Sequence, residues 1–254
     1  MRTIRMTVAY DGTDYAGFQV QPGRRTIQEA LEDAIGRITG VPTRVDGAGR
    51  TDAGVHAVGQ VVSFRTESTL DVAVLRRAVD AVLPDDVAIV DADDAPREFH
   101  ARFSARGRCY RYTIWNGPRR NVFERHYSLH WKARLDDVAM DAAAQLLVGR
   151  RDFAAFAGTL RGRERPTTTE RTLWLLRCRR EEQDVFVDAA ADAFLPHMVR
   201  NLVGTLMQIG TGKLAVTDIV AILNSRDRQQ AGMTAPARGL CLMRVWYEGN
   251  SIDA

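Results

Sequence analysis

Cysteine, lysine and long apolar runs are all scarce in this chain. Only Cys109, Cys178 and Cys241 occur among its 254 residues, an odd and scattered set that argues against a disulfide framework. No cysteine pair has the spacing of a zinc site, and His126 and His130 have no third ligand nearby in sequence, so no metal is expected. No stretch approaches the ~18–20 apolar residues that cross a bilayer. The opening segment, Met1 to Tyr10, alternates as a strand does and holds no signal-peptide core. No membrane contact is expected, and the cytoplasm is the expected location. Glycines 47, 49 and 54 fit neither GxGxxG nor a P-loop, so no nucleotide cofactor is implied.

Lysine is confined to Lys132 and Lys213, which leaves arginine to carry nearly all of the positive charge. The formal net charge of +3 hides a strong asymmetry. Residues 67–94 are acidic, residues 97–134 are arginine-rich, and a second basic stretch runs from Arg150 to Arg180. Segregated charge of this kind is the electrostatic footprint of a nucleic-acid binder. With 45% hydrophobic and 26% charged residues, the chain is long and apolar enough to bury a substantial core.

Periodicity and punctuation give a repeated plan. A strand over 2–10 precedes a helix opened by the capping box Thr26–Glu29, with Ile27, Leu31, Ile35 and Ile38 on one face and Gly40 as its stop. Strands near 43–49 and 57–64, a helix carrying Val72, Leu75 and Val79, and a strand near 86–92 complete a βαββαβ order, the ferredoxin-like arrangement. After a joining strand near 103–116, the order repeats. A strand at 126–131, a helix at 135–148, strands at 170–179 and 184–190, helices around 199–206 and 217–224 and a closing strand from Leu240 to Tyr247 make the second copy. The expected fold is α+β, with two ferredoxin-like units over residues 1–100 and 101–254. Their sheets are expected side by side, with an active-site cleft between them.

The densest chemical signal is the run from Gly47 to Ala57, GAGRTDAGVHA. It sets one carboxylate, Asp52, among small residues and two positions from Arg50, in a loop between strands. Glycines allow backbone to approach a ligand closely, and the guanidinium of Arg50 offers a planar fork for phosphate or a base. On these residues alone Asp52 also reads as a plain turn former. The second unit's hairpin, Arg179 to Asp184, carries no copy of the run, so one active site per chain is expected.

This run resembles the signature of the tRNA pseudouridine synthase A family, whose nucleophilic aspartate lies in GRTDAGVHA. The resemblance spans nearly the whole chain. Tyr10 to Gln21 is similar to the family's YDGTxYxGWQxQ, with Phe18 in the usual Trp position. Cys109 to Ile114 is similar to RxYRYxI, and Phe194 to Gly204 resembles FLxHMVRNxVG, with Pro196 where an aromatic or His is usual. Asp152 and Phe153 look like the HDF element, with Arg151 replacing the histidine, and Ala235 to Val245 resembles APAxGLxLxxV.

The resemblance implies a cofactor-free isomerisation of uridine to pseudouridine at positions 38, 39 and 40 of the tRNA anticodon stem-loop. It implies Asp52 as nucleophile, attacking either C1′ of the ribose or C6 of the base. Tyr110 is implied to stack on the base, its hydroxyl available to relay the C5 proton. Arg200 is implied to orient Asp52 and hold it ionised, and Leu240 to line the pocket. Arg50 is implied to fill the space of the flipped nucleotide, which offsets part of the few kcal/mol that unstacking costs. A homodimer with one tRNA spanning both subunits is implied as well. Two other classes fit the residues less well: an RNA-binding protein without catalysis, and a small-molecule enzyme on a ferredoxin-like scaffold.

Overall fold

A computed structural model describes residues 1–158 and 168–247. The basic stretch from Arg150 to Arg180 therefore lies partly outside the described residues. The chain forms two compact units, one of Met1–Arg106 with the strand beginning at Cys241, the other of Gly107–Leu240. Both mix helices with a sheet.

The first unit contains, in chain order, β1 (Arg2–Tyr10), α1 (Ile27–Thr39), β2 (Asp46–Gly47), β3 (His56–Thr66), α2 (Val72–Asp80) and β4 (Val87–Ala95). Alternation in β1 buries Ile4, Met6 and Val8 completely and leaves Arg5, Thr7 and Ala9 partly exposed, as a strand with one covered face requires. β1 runs antiparallel to both β3 and β4, with Arg2 opposite Thr66 and Thr3 opposite Ala95. Helix α1 starts where the Thr26 hydroxyl accepts from the Glu29 N–H, and α2 where the Asp71 carboxylate accepts from Ala73 and Val74. Leu31 and Ile35 from α1 and Leu75 and Val79 from α2 are all fully buried. Each contributes roughly 1.5–3 kcal/mol of hydrophobic stabilisation.

The strand expected near 43–49 shrinks to two residues. The Val45 N–H donates to Glu32 Oε1 at 3.0 Å, and the Val45 carbonyl accepts from Gln28 Nε2 at 3.0 Å. Side chains of α1 have taken the backbone groups that a longer strand would pair.

The second unit contains β5 (Gly107–Trp115), β6 (Leu129–His130), α3 (Asp137–Gln145), β7 (Gly149–Asp152), β8 (Glu170–Glu181), β9 (Asp184–Ala191), α4 (Met198–Gly210) and α5 (Asp218–Ser225). Its strands lie in the order β5-β9-β8-β7, all antiparallel, with β6 added in parallel to β5. The strand expected at 126–131 is only Leu129–His130. The Tyr127 and Ser128 N–H groups instead donate to the Glu124 carbonyl in a turn. β7 was not expected, because Gly-Arg-Arg-Asp has no apolar alternation; it pairs along β8, with Gly149 opposite Leu173. Helix α3 packs on β8 and α4. The last strand is β10 (Leu240–Trp246), which the sequence pattern assigns to the close of the second unit. It pairs in parallel with β3, Cys241 opposite His56. Alternation marks a strand but does not encode its partner.

Candidate active site

The loop before β3 carries Arg50, which is exposed, and Asp52, which is partly buried. Asp52 opens a tight turn in which its carbonyl accepts from the Val55 N–H at 3.1 Å and Gly54 takes φ +76°. Positive φ at the third residue is the demand of a type II turn, which glycine meets without strain. The aspartate is therefore held at a corner rather than on a floppy tip.

A second loop, between β1 and α1, braces this corner. The Phe18 N–H donates to the Thr51 carbonyl at 3.1 Å. At Gly17, which has φ +101°, an added Cβ would lie 2.8 Å from the Thr51 oxygen and 3.2 Å from the Ala53 nitrogen. The buried Phe18 ring packs over Gly47, where a Cβ would meet ring carbons at 2.5 Å. His56 ties the same two loops. Its Nδ1 lies 3.1 Å from the Gly12 nitrogen and 3.1 Å from Asp11 Oδ1. Tyr15 anchors the far side of the brace. It is 3% exposed, its hydroxyl donates to Asp86, and the Arg25 guanidinium bonds Asp86 and stacks 4.2 Å from the Tyr15 ring centroid. Burial, reinforced by the bond to Asp86, pushes the Tyr15 hydroxyl well above the ordinary tyrosine range, so it remains a neutral donor.

Within the second unit, Tyr110, Tyr112 and Ile114 share the buried face of β5, as its alternation requires, while Cys109, Arg111 and Thr113 are partly exposed. The Tyr110 ring is 8% exposed and meets Phe194 edge-on, with centroids 5.2 Å apart. That contact fixes the ring plane. Helix α4 begins after His197, whose φ of 57° turns the chain sharply into the helix. Arg200, in its first turn, donates from Nε to the Ala235 carbonyl at 2.7 Å, and the Ala235 N–H donates back to the Arg200 carbonyl at 3.1 Å.

The neighbouring helix positions hold the same segment. Asn201 Oδ1 accepts from Thr234 at 2.7 Å and from Arg228 at 2.9 Å, and the Thr205 hydroxyl accepts from the Gly232 N–H at 2.8 Å. From β5, the Tyr112 hydroxyl donates to the Pro236 carbonyl at 2.8 Å. Burial pushes the Tyr112 hydroxyl far above the usual range despite the opposing pull of Arg200 and Arg238, so it too stays a donor. These bonds fix the segment that ends at Leu240, which is 6% exposed.

The site residues expected from the sequence thus fall into two sets. Arg50 and Asp52 share one braced loop of the first unit, while Tyr110, Arg200 and Leu240 stand in the second on elements cross-linked by hydrogen bonds. Sequence reasoning did not find the roles of Tyr10, Gln60 and Thr51 around the Asp52 loop. A signal was present: Gln60 interrupts the apolar run from Ala57 to Val62 and is 0% exposed, and a fully buried amide must be hydrogen-bonded to something specific.

A family model described as tRNA pseudouridine synthase matches residues 6–104 and 143–248. The chain is 41% identical to the tRNA pseudouridine synthase A of Citrifermentans bemidjiense over 249 residues, 98% of each chain. It is 42% identical to that of Geobacter sp. strain M21, covering 97% of this chain and 99% of the relative. To the Geobacillus kaustophilus protein of the same name it is 41% identical, over 96% and 94% of the two chains. The family model's two matched regions take in the loop of Asp52 and the α4 and β10 segments, while β5 with Tyr110 lies between them and within the span of the full-length relatives. The chain belongs to the tRNA pseudouridine synthase family.

Proposed function

We propose that this chain isomerises uridine to pseudouridine at positions 38, 39 and 40 of the tRNA anticodon stem-loop. The observation that carries the reading is the braced aspartate. Asp52 lies in the family's signature sequence, at the corner of a turn buttressed by a second motif loop, in a chain matched to the family over most of its length. The reaction breaks the N1–C1′ bond of uridine, joins C1′ to C5, releases the C5 proton and returns one to N1. Atoms and oxidation state balance, so no redox partner is needed.

We assign Asp52 as the nucleophile, at C1′ or C6. Tyr110 stacks on the detached base, and Arg200 orients the Asp52 carboxylate. Leu240 lines the base pocket. Arg50 takes the place of the flipped nucleotide in the stem. The arginine-rich stretches carry the phosphate backbone. The same reading takes the units as ferredoxin-like, a view supported by the order β4-β1-β3 with β2 on β3 in the first, with the boundary near residue 100. It also takes the enzyme as a cytoplasmic homodimer with one tRNA across both subunits. Among the described residues no helix is long and apolar enough to cross a membrane.

The test is pseudouridine formation in unmodified tRNA carrying uridines at 38–40, comparing wild type with Asp52→Asn. Product from wild type and none from the variant is the expected result. Binding of tRNA by wild type without product would replace the enzyme reading with an RNA-binding module.

A further inference from the structure

Three polar side chains are buried between the first unit's sheet and the Asp52 loop: Gln60 at 0% exposure, Tyr10 at 5% and Thr51 at 7%. Gln60 grips both main-chain groups of a single loop residue. Its Nε2 donates to the Gly49 carbonyl at 2.8 Å, and its Oε1 accepts from the Gly49 N–H at 3.4 Å. The same Nε2 lies 3.3 Å from the Tyr10 hydroxyl, and that hydroxyl is 2.8 Å from the Thr51 hydroxyl. Tyr10 closes β1 opposite Ala57, and Gln60 stands on β3 opposite Val8, so both anchors sit on paired strands rather than on loops.

The chain of bonds ends on Gly49 and Thr51, which flank Arg50, while Thr51 directly precedes Asp52. An apolar trio would fill this space without any desolvation penalty. A buried polar network gives geometric definition instead, since each bond is met only in one arrangement.

We propose that Tyr10, acting through Thr51 and with Gln60, is a positioning residue for the isomerisation. It fixes the height and direction at which the loop presents Asp52 and Arg50. The inference rests on the isomerase reading above. Tyr10 touches neither nucleotide nor reacting atom; it sets where the nucleophile stands.

The experiment uses the full chain with unmodified tRNA in Tyr10→Phe, Thr51→Val, Thr51→Ser and the double variant Tyr10→Phe/Thr51→Val. Single-turnover rate at saturating enzyme, tRNA dissociation constant and Tm are measured for each. Tyr10→Phe and Thr51→Val are each expected to lower the rate about 10- to 100-fold, the scale of a small misplacement of a reacting group. The dissociation constant should stay within about two-fold, and Tm should fall by only about 2–6 °C, the scale of one to two lost hydrogen bonds. The double variant should be no slower than the slower single, because both remove the same bond. Thr51→Ser, which restores the hydroxyl, should recover the rate to within about three-fold.

Undiminished single-turnover rate in folded Tyr10→Phe would overturn the inference, as would rate losses that multiply in the double variant or a loss confined to tRNA binding. Those outcomes leave an active wild type. No product from wild type would instead remove the isomerase reading, and this inference with it.

Discussion

Gly17→Ala probes the surroundings of Asp52, the proposed nucleophile, without removing a single chemical group. Gly17 has φ +101°, beyond the left-handed well that some side chains tolerate, so an alanine there carries strain of about 1–2 kcal/mol. Its Cβ would stand 2.8 Å from the Thr51 oxygen and 3.3 Å from the Asp52 carbonyl carbon. Relief to an ordinary carbon–oxygen contact of roughly 3.3 Å requires the two backbones to separate by about half an ångström. The Phe18 to Thr51 hydrogen bond, 3.1 Å long, is the tie in the way, and its loss costs about 0.5–1.5 kcal/mol. Together these predict a Tm fall of about 5–10 °C in a protein of this size. They also predict a single-turnover rate about 10- to 100-fold lower, as Asp52 moves with its neighbours.

Gly23→Ala is the control. Gly23 has φ +68°, inside the left-handed well, and nothing within 4 Å of an added Cβ, so it carries ordinary left-handed strain without the collision. It should lose about 2–6 °C in Tm and none of the rate. Pseudouridine formation and thermal unfolding of both variants decide the matter. A Gly17→Ala enzyme that unfolds earlier yet turns over at the wild-type rate would show that the brace does not position Asp52.

Tyr112→Phe removes the bond to the Pro236 carbonyl and should destabilise the protein by about 0.5–1.5 kcal/mol in denaturant unfolding; no change would mean that α4 alone holds the 235–240 segment. Asp152 gives a pH signature. Burial pushes its carboxyl up, but the Thr169 hydroxyl, the Ala154 N–H and Arg226 outweigh that and leave it below its ordinary 3.8. The unfolded state therefore binds the proton first as pH falls, so this group stabilises the fold above about pH 3.8 and loses its contribution as pH drops through the lowered folded value. The Tm deficit of Asp152→Asn should accordingly be present at neutral pH and vanish in acid, and a deficit that persists unchanged would refute the assignment. Finally, tRNA affinity should fall linearly on a log–log plot against salt; a flat plot from filter-binding titrations would remove the arginine-rich stretches from the interface.

Local physics made much of this legible in sequence. Thr26 and Gly40 mark the ends of α1 because capping is satisfied within a few residues, and α1 lies close to where those signals put it. Alternation gave β1, β5, β8 and β9 for the same reason. What stayed hidden depends on partners distant in the chain. β7 is hydrophilic and exists because β8 offers an edge, β10 joins β3 from the far end of the sequence, and β2 is cut short by Glu32 and Gln28 on a helix.

The site divides along the same line. Asp52 is readable because its run resembles the family signature, and Gly54 two residues on encodes its turn, but the rigidity of that turn is not legible, since its supports arrive from Tyr10, Phe18, His56 and Gln60. Among these, Gln60 shows how such a support can be found in a sequence alone. A fully buried amide on a strand forfeits stability unless a fixed partner meets it, and on β3 the partner has to be something the ladder does not already use. The ladder pairs β3 with β1, β2 and β10, which leaves the polar groups of an adjoining loop as the available match. Here that loop is the one holding Asp52. A buried polar residue on the strand that follows a catalytic loop therefore points back to the loop, and the rate of Tyr10→Phe measures how strongly.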